Sequence, residues 1–197
     1  MKMHKIQCKC GTIRGHIEGT GTSSRVICYC TDCRAFAHFL GQGAAVLDAQ
    51  GGTEIVQVAQ PRLHISQGVE QLACVRLSPN GMLRWYAACC NTPLGNTMAD
   101  PKIGFIGVIH SALDSSRMDS DFGTSISTLN TSTALGVNKP AQNGLPGVIG
   151  RFLWLVVSTR ISGKYKKSQL FDSLGVPIVQ PTALTPEDLV RLKSMQV

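Results

Sequence analysis

The sequence lacks a hydrophobic run long enough to span a membrane. Its most apolar stretch, VIGRFLWLVVS at residues 148–158, contains Arg151 and is shorter than the roughly 20 residues that a spanning helix needs. The first residues, MKMHKIQCKCG, are charged and have no apolar segment of the kind found in a secretory signal peptide. These absences predict a cytoplasmic protein without a membrane partner.

Signatures of several large enzyme classes are also missing. The sequence has no Gly-rich phosphate loop in context, no Gly-x-Ser-x-Gly motif and no paired carboxylates. Nucleotide, serine-hydrolase and glycosidase chemistry therefore have no support. The formal charge of +7 would suit an anionic ligand or nucleic acid, but the basic residues do not cluster, apart from KYKK at 164–167. We therefore do not expect a nucleic-acid partner.

What the sequence does contain is an uneven distribution of cysteine. Thiols are kept reduced in the cytoplasm, where clustered cysteines more often bind metal or react than form a disulfide framework. Zinc is held by thiolates at the corners of a tetrahedron, and cysteines two or three positions apart can reach one ion from a tight turn. The groups are Cys8 with Cys10, Cys28 with Cys30 and Cys33, and Cys89 with Cys90, whereas Cys74 stands alone.

The first 110 residues predict a mainly β fold. Short apolar or alternating runs are separated by turn residues, among them SPNG at 78–81, whose Asn-Gly pair tolerates positive φ. Over 111–147 the composition changes to Ser, Thr, Asn, Gly and Pro, which predicts a long polar loop or lid. The predicted organisation is a zinc-binding domain over 1–110, this loop, and a C-terminal helical extension over 148–197 that packs on the same domain.

Two helices are predicted in the extension. Over 148–162, apolar residues recur at i, i+3, i+4, i+7 and i+8, which predicts a helix face that packs on the sheet or on a partner chain, so that an oligomer could form there. These residues are Ile149, Phe152, Leu153, Val156 and Val157. The final helix is predicted in TPEDLVRLKSM, where Thr185 suits the N-cap and Pro186 the first turn.

Three motifs together resemble a known family. CKCG at 8–11, CYCTDC at 28–33 and YAACCNTPLG at 86–95 resemble, in type and order, the motifs of the glutathione-dependent formaldehyde-activating enzymes and the centromere-protein-V-like proteins. The resemblance covers roughly residues 5 to 110. It implies an Mss4-like β-tent with two zinc sites, a structural one from the first and last cysteine pairs and a catalytic one from the central triplet.

The third motif departs from the family pattern. When Tyr86 and the following Thr-Pro-Leu are aligned with the family motif, Cys90 matches the second cysteine of the family's Cys-x-x-Cys-Gly knuckle and Asn91 matches its glycine. Ala87 then stands where the first cysteine would be. The structural site would then have Cys8, Cys10 and Cys90 as ligands and an open fourth position. Cys89, Cys74 and water are the alternatives, and Cys89 can serve only if the backbone turns there, because neighbours in a strand point to opposite faces.

The triplet of Cys28, Cys30 and Cys33 predicts a different kind of site. Three protein ligands leave one zinc position for water or a substrate atom, and a thiolate suits that position. The resemblance implies that glutathione adds to formaldehyde there, giving S-hydroxymethylglutathione, in the manner of a carbon–sulfur lyase. Two alternatives remain: a fourth cysteine or His38 closes the site, or the protein is a zinc-stabilised binding module for nucleic acid or a protein partner. We expect two zinc ions, or one if the first site is incomplete.

Overall fold

Two β-sheets form the framework of the computed structural model, which describes residues 3–19 and 22–195. The smaller sheet is antiparallel and has the strand order β1-β2-β5. Its strands are β1 (Met3–Gln7), β2 (Arg14–Glu18) and β5 (Leu63–Gln67). Met1 and Val197, the outer limits of the predicted domains, lie outside the described residues.

The larger sheet has eight strands in the order β10-β3-β4-β9-β8-β7-β6-β11. Its pairs are antiparallel except at the two edges, where β10 lies parallel to β3 and β11 parallel to β6. The strands are β3 (Ser24–Cys28), β4 (Thr53–Ala59), β6 (Leu72–Arg76), β7 (Leu83–Ala87), β8 (Thr92–Thr97), β9 (Phe105–Ile109), β10 (Ile126–Leu129) and β11 (Thr182–Ala183).

The main hydrophobic core lies between the two sheets. Ile6, Ile17 and Leu63 of the smaller sheet are buried in one cluster with Val58 and Trp85 of the larger sheet. Alternating apolar residues on the strands produce this arrangement, since every second side chain points to the same face. The protein is therefore mainly β with short helices and a C-terminal helix, as the sequence predicts.

Within the described residues, five α-helices surround this framework. A second buried cluster joins α1 to the C-terminal helix α5, whose Leu192 is buried in it, and Lys193 of α5 forms an ion pair of 2.7 Å with Asp32. Thr185 caps α5 by accepting a hydrogen bond from the Asp188 amide, as predicted. The helices are α1 (Thr31–Phe39), α2 (Gly43–Val46), α3 (Met118–Phe122), α4 (Leu145–Ile161) and α5 (Pro186–Ser194).

Helix α4 turns a different face to the sheet from the one that the sequence predicts. Its inner face consists of Val148, Leu155 and Thr159, which are buried, together with Phe152, whose ring centroid lies 5.0 Å from that of Phe105. Three members of the predicted packing face, Ile149, Leu153 and Val157, are exposed instead. The helix is apolar around nearly its whole circumference, so periodicity alone does not identify the inner face. Among the described residues no helix has the length and apolar character needed to cross a bilayer.

Candidate metal centres

The first cysteine cluster joins two turns that are distant in sequence. Cys8 and Cys10 lie between β1 and β2, whereas Cys89 and Cys90 lie between β7 and β8. The Sγ–Sγ distance is 3.3 Å for Cys10 and Cys89, 3.5 Å for Cys8 and Cys10, and 3.9 Å for Cys8 and Cys89. All four sulfurs lie within 4.8 Å of one another. Thiolates about 2.3 Å from a tetrahedral zinc ion are about 3.8 Å apart, so these four residues could hold a metal ion.

The backbone turn that Cys89 requires is present. Strand β7 ends at Ala87, and the Asn91 amide donates to the Ala87 carbonyl at 2.8 Å, which closes a turn over 88–91. Asn91 has a φ of 55°, a left-handed conformation that asparagine and glycine tolerate best. This conformation gives a physical reason why Asn91 stands where the resembled motif has glycine. The turn, rather than an extended strand, directs Cys89 and Cys90 to one cluster.

Cys74, the alternative fourth ligand, lies elsewhere. It pairs with Trp85 across the β6–β7 hairpin and is buried in the main core, where burial raises the pKa of its thiol to about 12. It belongs to neither group of potential metal ligands in the described part of the chain. Cys89 is therefore the fourth thiol that the fold brings to Cys8, Cys10 and Cys90.

At two of the four sulfurs, hydrogen bonds favour the thiolate form that binds a cation. The Thr12 hydroxyl lies 3.2 Å from the Cys10 sulfur, and hydrogen bonding to Thr12 lowers the pKa of Cys10 to about 6. The Thr92 hydroxyl accepts from the Lys9 amide at 2.9 Å and lies 3.1 Å from the Cys90 sulfur, so its own proton can be donated to that sulfur. Burial opposes ionisation of Cys90, but the Thr92 hydrogen bonds leave its pKa below the ordinary value.

The second cluster is formed by neighbouring residues at the start of a helix. Cys28 ends β3, Cys30 is the N-cap of α1 and Cys33 lies in its first turn. The Cys30 and Cys33 sulfurs are 3.1 Å apart, and all three sulfurs lie within 4.8 Å of one another. The Cys33 amide donates to the Cys30 sulfur at 3.3 Å, and the positive end of the helix favours a thiolate there. These three residues could hold a metal ion and leave one tetrahedral position without a protein sulfur.

Without a metal, the three thiols of the triplet differ in pKa. Hydrogen bonds from Cys30 and Cys33 lower the pKa of Cys28 to about 2. Hydrogen bonding to Cys28 is also the main reason why the pKa of Cys30 is raised and that of Cys33 lies well above its ordinary value. Metal ligation requires thiolates, so a bound cation would displace protons from the thiols of the triplet.

The side chain of Asn130 contacts this triplet, and sequence reasoning did not find it. Strand β10 runs parallel to β3, which brings Asn130 at the end of β10 next to Cys28 at the end of β3. The Asn130 amide nitrogen donates to the Cys28 sulfur at 3.2 Å, and the residue has a φ of 57°. The two residues are 102 positions apart. No local motif marks Asn130, because the contact depends on the pairing of an edge strand.

We expect Asn130→Gly to weaken metal binding at the triplet by about ten-fold, because loss of a hydrogen bond to a metal ligand typically has an effect of this size. Glycine keeps the left-handed backbone and removes only the amide donor. The measurement is competition for zinc against a chromophoric chelator, together with the sulfur-to-metal charge-transfer band of the cobalt form. Asn91→Gly is the matched control, since Asn91 is also left-handed but has no described hydrogen bond to a sulfur. Equal affinities in the two variants would contradict the assigned role.

Two other residues near the triplet do not complete it. His38, one of the alternatives for closing the site, is absent from the described ligand group, and burial is the main cause of its lowered pKa. Arg34 is buried and donates to the Thr133 carbonyl at 3.2 Å, so its guanidinium is directed into the protein. The triplet therefore has no fourth cysteine or histidine ligand within the residues described by the structure.

The segment predicted as a long polar loop, 111–147, contains α3 and β10. Its central part is tied to the triplet, because the Tyr29 amide donates to the Leu129 carbonyl at 3.0 Å and the Thr133 hydroxyl to the Tyr29 carbonyl at 2.9 Å. Thr128 and Asn143 also exchange two backbone hydrogen bonds. The remaining irregular part includes the stretch 136–141, where every residue except Pro140 is exposed.

We expect amide exchange in the free protein to divide this segment. Amides over 126–130 should exchange slowly because the strand is paired, whereas those over 136–141 should exchange fast because they are exposed. Hydrogen–deuterium exchange followed by mass spectrometry measures both regions in one experiment, and β9 serves as the protected reference. Fast exchange throughout 111–147 would instead support a single mobile lid.

Comparison with known proteins gives a family but no activity. A family model described as "Family of unknown function (DUF6151)" matches residues 1–173. Among solved structures, the chain is similar to a crystal structure of a Rhodobacter sphaeroides protein from structural genomics, with 18% identity and a TM-score of 0.40. That match covers 56% of this chain and 88% of the other. None of the curated proteins matches the sequence.

Proposed function

Because this chain belongs to the DUF6151 family, whose description assigns no function, we propose a function from its own cysteine geometry. We propose that the protein binds two zinc ions and acts as a carbon–sulfur lyase-like enzyme on a small thiol and an aldehyde, with glutathione and formaldehyde as the first candidates. The observation that carries this proposal is the unequal ligand count of the two clusters, four sulfurs in one and three in the other. The motif resemblance to the glutathione-dependent formaldehyde-activating enzymes supports the same reading.

Zinc fits both clusters by ligand chemistry. Sets of three or four thiolates favour soft or borderline cations, and zinc is the usual ion in tetrahedral sulfur sites that have no redox role. We assign the four-cysteine cluster a structural role, because Cys8 and Cys10 follow a strand of the smaller sheet and Cys89 and Cys90 lie between two strands of the larger one. A metal there would join the two sheets at one end of the core.

The triplet is the proposed catalytic site. A zinc ion bound there would supply a lowered thiol pKa, so that a small thiol is present as thiolate at neutral pH. The protein's own contribution would be to hold Cys28 with the Asn130 amide, to favour negative charge at the start of α1, and to leave Cys30 only partly buried for access. Addition would form one bond between the thiol sulfur and the carbonyl carbon, and the thiol proton would end on the carbonyl oxygen. The reverse reaction breaks the same bond.

Two effects on the rate oppose each other. A thiolate of lowered pKa is more abundant but less nucleophilic, so ionisation alone gives a limited gain. Holding the thiol and the carbonyl carbon together can contribute up to about 7–11 kcal/mol when the geometry is good. We therefore expect positioning of the two reactants to account for most of the acceleration.

Exchange NMR on mixtures of formaldehyde with glutathione, with and without enzyme, tests the proposal directly. Other small thiols are used in parallel, and the zinc content of the same sample is measured by mass spectrometry. Two zinc ions per chain and faster exchange with at least one thiol are expected. No acceleration with any thiol, from protein that carries zinc at the triplet, would overturn the lyase proposal. The alternative, a zinc-stabilised binding module without catalysis, would then take its place.

A further inference from the structure

Helix α4 presents an apolar face to solvent. The side chains on this face are 47% exposed at Ile149, 54% at Leu153, 63% at Trp154, 47% at Val157 and 83% at Ile161. Ile149, Leu153, Val157 and Ile161 follow one another at intervals of about one turn, and Trp154 lies beside them one turn before Val157, so they form a continuous ridge. We call these five residues the α4 ridge. A contiguous apolar surface of this kind usually marks a site of interaction.

The orientation of the helix keeps this ridge outside. Its opposite side is fixed by buried Val148, Leu155 and Thr159 and by the packing of Phe152 on Phe105. Gly104 lies so close that a Cβ atom built on it would be 2.8 Å from the Thr159 hydroxyl. Because the inner side is packed closely against the sheet, the helix cannot rotate the ridge inward without losing these contacts.

The chain segment that carries the ridge has charges of one sign. From Phe122 to Phe171 the sequence contains no Asp or Glu, whereas Lys and Arg occur six times. Arg160 and the three lysines directly beyond the helix, Lys164, Lys166 and Lys167, are exposed. Arg151 instead donates to the Ser24 hydroxyl on the protein body. The apolar ridge therefore ends in a cluster of four exposed cations without an acidic counterpart on this segment.

We propose that the α4 ridge docks the protein onto an anionic lipid surface, with the helix lying in the plane of the interface. An apolar face that enters the acyl boundary, a tryptophan at its side and cations that reach lipid headgroups are the features of an interfacial helix. Docking against a second copy fits less well. In a paired arrangement of two α4 helices, the cations would find no acidic partner on the opposing helix or its flanking segments.

Sedimentation with lipid vesicles tests this docking. Vesicles of phosphatidylcholine alone are compared with vesicles that also contain phosphatidylglycerol, at low and high salt. We expect the protein to sediment only with the anionic vesicles and less at high salt. The fluorescence of Trp154 should shift to shorter wavelength at the same time. The second tryptophan, Trp85, is only 1% exposed and should not contribute to this shift.

Two variants separate the apolar and the electrostatic contributions. Leu153→Ser with Val157→Ser should abolish sedimentation, and Lys164→Gln, Lys166→Gln and Lys167→Gln together should weaken it by about 100-fold. The matched control is Leu174→Ser, at a residue that is 86% exposed but lies outside α4. All variants should keep the melting temperature and metal content of the wild type, since the side chains are exposed.

The vesicle experiment has two outcomes that would overturn the proposal. Absence of sedimentation with anionic vesicles, or equal sedimentation with neutral ones, contradicts an anionic lipid surface. If analytical ultracentrifugation shows a dimer that Leu153→Ser with Val157→Ser dissociates, and the vesicles do not bind, the ridge is an interface between two copies instead.

Discussion

We expect Cys90→Ser to lower the melting temperature by more than about 10 °C and to remove one of the two proposed metal ions. Loss of one ligand from a closed structural site forfeits most of the folding energy that the metal supplies, on the order of 5 kcal/mol. For a chain of this size, each kcal/mol corresponds to about 2–4 °C. The effect is global because Cys90 and Cys8 belong to turns from different sheets, 82 positions apart in the sequence. Differential scanning calorimetry and zinc analysis of the same sample measure both changes.

Two further substitutions serve as its controls. Cys89→Ser should reproduce the result, since Cys89 contacts both Cys8 and Cys10. Cys74→Ala should retain both metal ions, because Cys74 lies in the apolar core, although the cavity it leaves will cost some stability. An unchanged melting temperature in Cys90→Ser would refute a structural metal at this cluster, and loss of metal in Cys74→Ala would reassign its fourth ligand.

For Cys30→Ser we expect the opposite result: loss of the proposed turnover and a shift of the melting temperature by less than about 4 °C. The three cysteines of the triplet come from one stretch of six residues, so a metal there closes only a short loop and constrains the unfolded chain little. Serine is also a preferred N-cap residue, so α1 keeps its cap. We expect the exchange rate of the thiol adduct to fall by at least about 100-fold, as loss of a catalytic metal ligand removes the activated thiolate.

The comparison between the two serine variants is the decisive part of this second experiment. Exchange NMR and calorimetry are carried out on Cys30→Ser and Cys90→Ser side by side, with zinc content measured for each. Turnover retained in Cys30→Ser, with the triplet metal lost, would show that the reaction does not need this site. A fall in melting temperature as large as that of Cys90→Ser would show that the triplet is a second structural centre.

Local spacing was enough to find most of the candidate ligands. Cys28, Cys30 and Cys33 come together because the end of a strand and the first turn of a helix bring residues two and three positions apart to one point, whatever the rest of the fold does. The N-cap at Thr185 is likewise local, since it depends on one side chain and an amide three residues later. The SPNG turn also joins β6 to β7 as predicted.

The sequence alone could not identify the fourth ligand of the first cluster, because that choice depends on a backbone conformation. Whether Cys89 or Cys74 accompanies Cys90 is decided by the end of β7 at Ala87 and the left-handed φ of Asn91. An extended continuation of β7 would have directed Cys89 away from Cys90. The difference is a few dihedral angles, and adjacent cysteines in the sequence are compatible with either conformation.

The tertiary structure alone decided which surfaces the distant parts of the chain share. Asn130 reaches Cys28 only because β10 pairs in parallel with β3, and a polar segment carries no periodic signal of such an edge pairing. Helix α4 has apolar residues on nearly every side, so its sequence predicts the helix but does not identify its inner face. The inner face was set by Phe105, whose ring packs on Phe152, and by Gly104, which leaves room for Thr159, since close packing selects the side chains whose shapes fit.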